Sequence, residues 1–153
     1  MTPEEVIRQQ LPQVNIMQLA AAVNNQPQIC TLHFYSDEDF NFYWCSTLDS
    51  SHPQAIKQNS QVAAYVLAHE NTPEEDYVIG VSIIGQAELL DAETIQKISA
   101  AYAEKLAKKP DYVSDIVSGK SPYKFYRLKP SRIVLFDNKD FPDNPRQELQ
   151  INH

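Results

Sequence analysis

The stretch Asp76-Tyr77-Val78-Ile79-Gly80-Val81-Ser82-Ile83-Ile84-Gly85-Gln86-Ala87-Glu88-Leu89-Leu90 decides the fold. Tyr77, Ile79, Val81, Ile83, Ala87 and Leu89 alternate with smaller or polar residues, the period of a strand with one buried face. The run is long for a single strand, and Gly80 and Gly85 interrupt it. Glycine inside a strand marks a bulge or the close approach of another backbone. Bulges bend a strand, and a long bent strand is what a sheet needs in order to curl into a barrel.

Toward the N-terminus, residues 62–67 read as another strand and residues 53–59 as a short helix. Residues 28–35 and 40–46 read as two strands joined by the acidic turn Ser36-Asp37-Glu38-Asp39. Paired as a hairpin, they put Cys30, Leu32 and Phe34 on one apolar face with Phe40, Phe42 and Trp44. Thr31, His33, Tyr35, Tyr43 and Cys45 then share the other face. A slip of one residue would set Cys30 opposite Cys45 but would mix polar and apolar faces, so the thiols are expected apart and unpaired. Residues 16–23 suit a strand before the turn Asn24-Asn25-Gln26-Pro27. Thr2 and Pro3, with Glu4 and Glu5, open a helix over residues 3–11 that Pro12 ends.

Toward the C-terminus, Asp91 is placed to cap a helix running to Lys109, with Ile95, Ile98, Tyr102 and Leu106 on one face. Residues 111–118 suit a second short helix, followed by the turn Gly119-Lys120-Ser121-Pro122. Residues 123–128 and 131–137 are expected to close the sheet as a hairpin around Lys129-Pro130. From Asp140 the chain is polar and expected to be an extended tail. The whole reads as one mainly β (α+β) domain, although pattern alone does not choose among small barrels.

Composition narrows the function classes. The chain has 153 residues, 42% hydrophobic and 22% charged, with a formal net charge of −7. No Lys/Arg cluster is present to follow phosphates, so nucleic acid is not an expected partner. The start lacks a basic and an apolar region, and no apolar run approaches a membrane span, so a cytoplasmic protein is expected. His69-Glu70 has no second ligand at metal-binding spacing, so no metal is expected. Ser46, Ser50 and Ser51 lack the elbow of a nucleophilic serine.

Five stretches, in order and spacing, resemble the pyridoxamine-phosphate-oxidase-like family. They are Pro27-Gln28-Ile29-Cys30-Thr31-Leu32, then Phe42-Tyr43-Trp44-Cys45-Ser46-Thr47-Leu48-Asp49-Ser50, then Asn59-Ser60-Gln61-Val62-Ala63. Ile84-Gly85-Gln86-Ala87-Glu88-Leu89 and Tyr126-Arg127-Leu128-Lys129-Pro130-Ser131-Arg132-Ile133 complete the set. The resemblance implies a six- to seven-stranded antiparallel split β-barrel with peripheral helices, its core about residues 14–138 and its tail 139–153. It implies a homodimer with FMN (a deazaflavin is the less favoured variant) in a cleft at the subunit interface.

Carried over residue by residue, the strand facing the flavin ring contributes Cys30, Thr31, Leu32 and His33. The pair ending the next strand is Cys45 and Ser46, and the phosphate clamp falls on Ser50, Ser51 and His52. Here the sequence departs from the family, which has Ser-Arg-Lys at the clamp. A basic residue that often opens the ring-facing strand is Cys30, and a Gln of the long strand is Gly80. The stretch Val134-Leu135-Phe136-Asp137-Asn138 lacks the basic motif that grips pyridoxal phosphate, so the oxidase activity itself is not expected.

Losing two charge-assisted hydrogen bonds costs about 3–6 kcal/mol, roughly two to four powers of ten in dissociation constant. Pro53 suits a first helical turn, so backbone N–H groups near His52 would still cradle an anion. A protonated His52 would add charge, giving tighter flavin binding near pH 6 than pH 8; the bland alternative is a surface residue at a helix start. Arg127 and Arg132 would each meet either an acidic partner or an anionic ligand. Two functions follow: a flavin-dependent oxidoreductase or flavin carrier, or a non-enzymatic dimer that has exchanged flavin for another ligand or partner.

Overall fold

A computed structural model describes residues 1–151. The first helix, α1 (Pro3–Gln10), begins as expected: Thr2 Oγ1 accepts from Glu5 N–H at 3.2 Å, and the Glu5 carboxylate accepts from Thr2 N–H at 2.8 Å. Such a cap contributes about 1 kcal/mol. After a single 3-10 turn, β1 (Ile16–Val23) runs into a tight turn with φ of 52° at Asn24 and 61° at Asn25. Two left-handed residues in succession match the twist of a two-residue hairpin, and asparagine tolerates that region better than most. The turn is therefore shorter than expected, and Gln26 and Pro27 already belong to β2 (Gln26–His33).

That hairpin takes the partner the sequence had assigned elsewhere. β2 pairs with β1 along its full length, from Ile16 opposite His33 to Val23 opposite Gln26. The expected hairpin between residues 28–35 and 40–46 survives only as β3 (Tyr35–Ser36) against Tyr43 and Phe42 of β4 (Phe42–Thr47). Alternation says which face of a strand is buried but not which neighbour it takes, and β1 reaches β2 through the shorter loop.

The remaining elements are α2 (Ser51–Gln58), β5 (Gln61–His69), β6 (Ile79–Leu89), α3 (Ala92–Lys105), α4 (Tyr112–Val117), β7 (Tyr123–Asp137) and β8 (Arg146–Gln150). The strand order is β2-β1-β5-β6-β7-β4-β3, with β8 on β7. Phe34, fully buried between β2 and β3, is where the chain leaves one edge of the sheet and joins the other. The result is an α+β split barrel with eight antiparallel strands among the described residues.

Two expectations at the C-terminal end are corrected. Lys129-Pro130 is not a hairpin turn, because β7 is one strand of 15 residues. Its ladder with β6 shifts between Ile84, opposite Arg132, and Gly85, opposite Pro130, leaving Ser131 as the extra residue. A Cβ on Gly85 would lie 2.1 Å from the Lys129 carbonyl oxygen, so glycine makes room for the bulge and the bulge makes room for the proline. The expected tail is extended but not loose: residues 146–150 pair with β7 from Phe136 to Arg132, so the sheet continues past residue 138. Residues 152 and 153 lie outside the described residues.

Two hydrophobic layers result. One fills the barrel with aliphatic and aromatic side chains from α1, α2 and every long strand. The other, built from Tyr43, Ile95, Ile98, Tyr102, Ile116 and Phe125, seats α3 and α4 on the outside of β4 and β7. No helix among the described residues is long and apolar enough to cross a membrane.

Candidate functional site

Where β2 and β4 diverge, the barrel is split, and α3 and α4 rise beside the opening. A cleft of about 360 Å³ lies there, lined by Ile16, Thr31, Leu32, His33, Cys45, Tyr102, Lys108, Tyr112 and Tyr123. Strand alternation explains Thr31, His33 and Cys45 in this lining, while Leu32 lies on the opposite face of β2. Thr31 and His33 point outward from β2, while Tyr43, Cys45 and Thr47 occupy the outward positions of β4.

Of the residues expected from the sequence, the structure brings Thr31, Leu32, His33 and Cys45 together in this cleft. Cys30 turns the other way: its Sγ approaches the Leu19 carbonyl at 3.8 Å and it packs against the barrel core. Ser46, Ser50, Ser51 and His52 are absent from the cleft lining. Ser46 is buried at 4% exposure, and its Oγ hydrogen-bonds His52 Nε2. Thr47 Oγ1 and Ser50 Oγ pair at 2.8 Å, and Ser51 is exposed. The side chains of the expected phosphate clamp thus largely satisfy one another.

His52 is partly buried at the start of α2. Burial holds its pKa below the usual histidine value, so the ring is neutral near pH 7 and supplies no positive charge there. The stronger flavin binding expected near pH 6 therefore depends on a bound phosphate raising that pKa again.

The floor of the cleft is polar but uncharged. Burial pushes the Cys45 thiol up to about 11, with Tyr102, Tyr112 and Lys108 acting in the opposite direction. Burial likewise raises the Tyr102 and Tyr112 hydroxyls well above the ordinary phenol value. All three groups keep their protons across the physiological range and remain neutral hydrogen-bond partners. Lys108 Nζ lies 4.7 Å from the centroid of the Tyr112 ring, the range of a cation–π contact.

Sequence reasoning missed this wall: Tyr102 entered only as part of the α3 apolar face, and Tyr112 and Tyr123 were given no ligand role. The signal available was the concentration of tyrosines in the helical excursion and the strand that follows it. Arg127 and Arg132 are both paired within the chain. Arg127 Nε meets Glu88 Oε1 at 2.7 Å and Arg132 Nε lies 3.4 Å from Glu148 Oε1. Tyr43, pushed up to about 12 chiefly by burial, donates from its hydroxyl to Asp37 at 2.8 Å.

No protein-family model matches the chain, and no curated protein matches it in sequence. Solved structures do match its fold. The chain shares its split β-barrel fold with solved structures described as a heme-binding protein, an FAD-binding protein and a pyridoxamine 5′-phosphate oxidase candidate.

A heme-binding protein from Mycobacterium smegmatis superposes with a TM-score of 0.78 at 13% identity, over 98% of this chain but only 58% of its own length. An FAD-binding protein from Mesorhizobium loti gives 0.65 at 20% identity, covering 87% of this chain and 92% of its own. A pyridoxamine 5′-phosphate oxidase candidate from Listeria innocua gives 0.64 at 19% identity, covering 88% and 98%.

Proposed function

We propose that the protein binds FMN with its ring in the seam cleft, and serves as a flavin carrier or a flavin-dependent oxidoreductase. The observation that carries this reading is the convergence of Thr31, Leu32, His33 and Cys45 with Tyr102, Tyr112 and Tyr123 around about 360 Å³. That volume falls in the range of small-molecule sites, and the aromatic walls suit a flat ring. Bound flavin would supply the redox chemistry. The chain would supply placement, shelter from water and a floor of protonated hydroxyl and thiol groups.

The reading includes a homodimer. On the outer face of the sheet, Ile29 is 71% exposed, Leu67 42%, Phe136 41% and Tyr65 38%. Tyr65 lies flat across Gly80, where a Cβ would come within 2.0 Å of its hydroxyl. A second copy on this face would cover those side chains. It would also wall the open side of the cleft, because Ile16, Thr31 and His33 belong to both.

Titration with FMN and riboflavin, followed by flavin fluorescence, tests the ring site, and sedimentation tests the dimer. Both flavins are expected to bind, to a particle of twice the chain mass. Binding of neither would remove flavin.

The mutually satisfied Ser46–His52 and Thr47–Ser50 pairs favour a second reading, a barrel that takes a different ligand. Heme is the ligand to try, since His33, Cys45 and the tyrosines are of the side-chain types that hold its iron. A hemin titration read by visible absorption would separate the two.

A further inference from the structure

We infer that Lys108, with Tyr112 and Tyr123 beside it, forms the anion-binding end of the cleft, so that a phosphate-bearing ligand would place its phosphate under the α3–α4 turn and not at residues 50–52. This rests on the reading of the cleft as a ring site. Lys108 is the only lysine or arginine lining the cleft, and among the described residues it makes no ion pair. It is half-buried where the adjoining Lys109 is exposed.

Its backbone is fixed by the end of α3. Lys108 N–H donates to the Ala103 carbonyl at 2.9 Å and Ala107 N–H to Glu104 at 3.4 Å, with Ala107 at φ 53°. This is a Schellman ending, a geometry that sets the direction of the residue after the left-handed one. Ala107 occupies a position that favours glycine, so the turn is held against a local cost. The side chain leaves this turn into the cleft, where Tyr112 underlies it and the Cys45 thiol feels its charge.

The alternative location offers no side-chain cation. His52 is engaged by Ser46, Ser50 by Thr47, and Pro53 has no N–H to give. An anion at Lys108 gains a charge-assisted hydrogen bond, for which a tenfold or larger effect on affinity is the expected order.

The test uses the full chain, isotopically labelled, with inorganic phosphate, FMN and riboflavin as probes. Phosphate and FMN are expected to shift the amide signals of Lys108 and Tyr112, and FMN to bind at least about tenfold more tightly than riboflavin. Lys108→Gln should abolish that preference while leaving riboflavin binding unchanged. Lys108→Arg should keep the preference, and His52→Gln should leave it intact, with melting curves confirming that each variant folds.

The inference is overturned if phosphate shifts only the amides of Ser51 and His52, or shifts none. It is equally overturned if FMN and riboflavin bind alike, or if Lys108→Gln keeps the FMN preference. If neither flavin binds but phosphate still shifts Lys108 and Tyr112, the flavin reading fails and the anion site stands.

Discussion

Inside the barrel, Met17, Leu19, Val66, Ile83, Leu128 and Ile133 meet with no polar tip among them, whereas under α3 and α4 the layer is Tyr43, Tyr102 and Cys45 set around Ile95, Ile98 and Phe125. Both layers are buried, but they solve different problems. That aliphatic part of the interior makes no demand except shape, although Trp44 and Tyr126 bring polar tips into the same core. A layer of phenols and a thiol must keep each hydroxyl near a partner: Tyr43 reaches Asp37, while Tyr102 and Cys45 border the cleft. The barrel supplies rigidity, and the layer between β4 and the two helices supplies the polar side chains that border the cleft.

Truncation should separate the layers most sharply. Ile133 is 0% exposed, and Ile133→Ala is expected to cost about 2–5 kcal/mol in global stability, read by denaturant titration. Ile98, at 8% exposed on α3, should cost about 2 kcal/mol or less when cut to Ala. That loss should appear mainly as faster amide exchange in α3 and α4 while the β5–β6–β7 ladder stays protected. Equal global losses would mean that the two layers fold as one unit.

The joint between the layers can be probed by pH. Lys105, on the last turn of α3, reaches across to donate to the Phe34 carbonyl at 3.1 Å and lies over the Phe34 ring at 3.8 Å. It also sits 3.4 Å from the Leu11 carbonyl, and no carboxylate contributes to its titration. Burial lowers its pKa from 10.5 to about 8. Between those values the unfolded chain binds more protons than the folded one, so this residue makes stability rise with pH across that window. Lys105→Met should therefore lose the rise, visible as a wild-type-minus-variant melting difference that grows in favour of wild type from about pH 8 to pH 10. A difference that is flat with pH would place the ammonium in water and unlink the cap from the seam.

The smallest expected effect is at the turn that carries Lys108. Ala107→Gly should stabilise the protein by about 1 kcal/mol, because glycine takes a positive φ without the Cβ penalty. A loss of stability would show that the Ala107 methyl packs favourably enough to outweigh its backbone.

The parts of this fold legible from sequence were those fixed by local chemistry. Thr2 capped a helix, residues 16–23 were a strand with the expected bounds, and Gly80 and Gly85 sat beside register shifts. What was illegible depended on partners distant in sequence. Pro130 looked like a turn because proline cannot donate to a ladder, and only its bulge opposite Gly85 shows why it is tolerated in mid-strand. Residues 146–150 looked like a tail because Arg146, Glu148 and Gln150 alternate with too little apolar surface to announce a buried face.

The site divided in the same way. Thr31, Leu32, His33 and Cys45 were named from the resemblance and do line one cleft, although Leu32 lies on the face of β2 opposite to Thr31 and His33. Tyr102, Lys108 and Tyr112 escaped because a helical insertion between two strands has no pattern that says which face it will cover.

β7 is the shared partner of β4, β6 and β8. During synthesis, β4 emerges long before residues 123–128, with which it makes its main ladder, and meanwhile has only the two-residue β3 beside it. The nascent chain thus holds an unpaired strand containing Phe42 and Trp44 until most of the polypeptide has been made. Strand edges exposed in that interval favour association between neighbouring chains on one message. Slow translation between β4 and β7 would lengthen the interval, and a holdase acting there would protect the protein more than one acting after release.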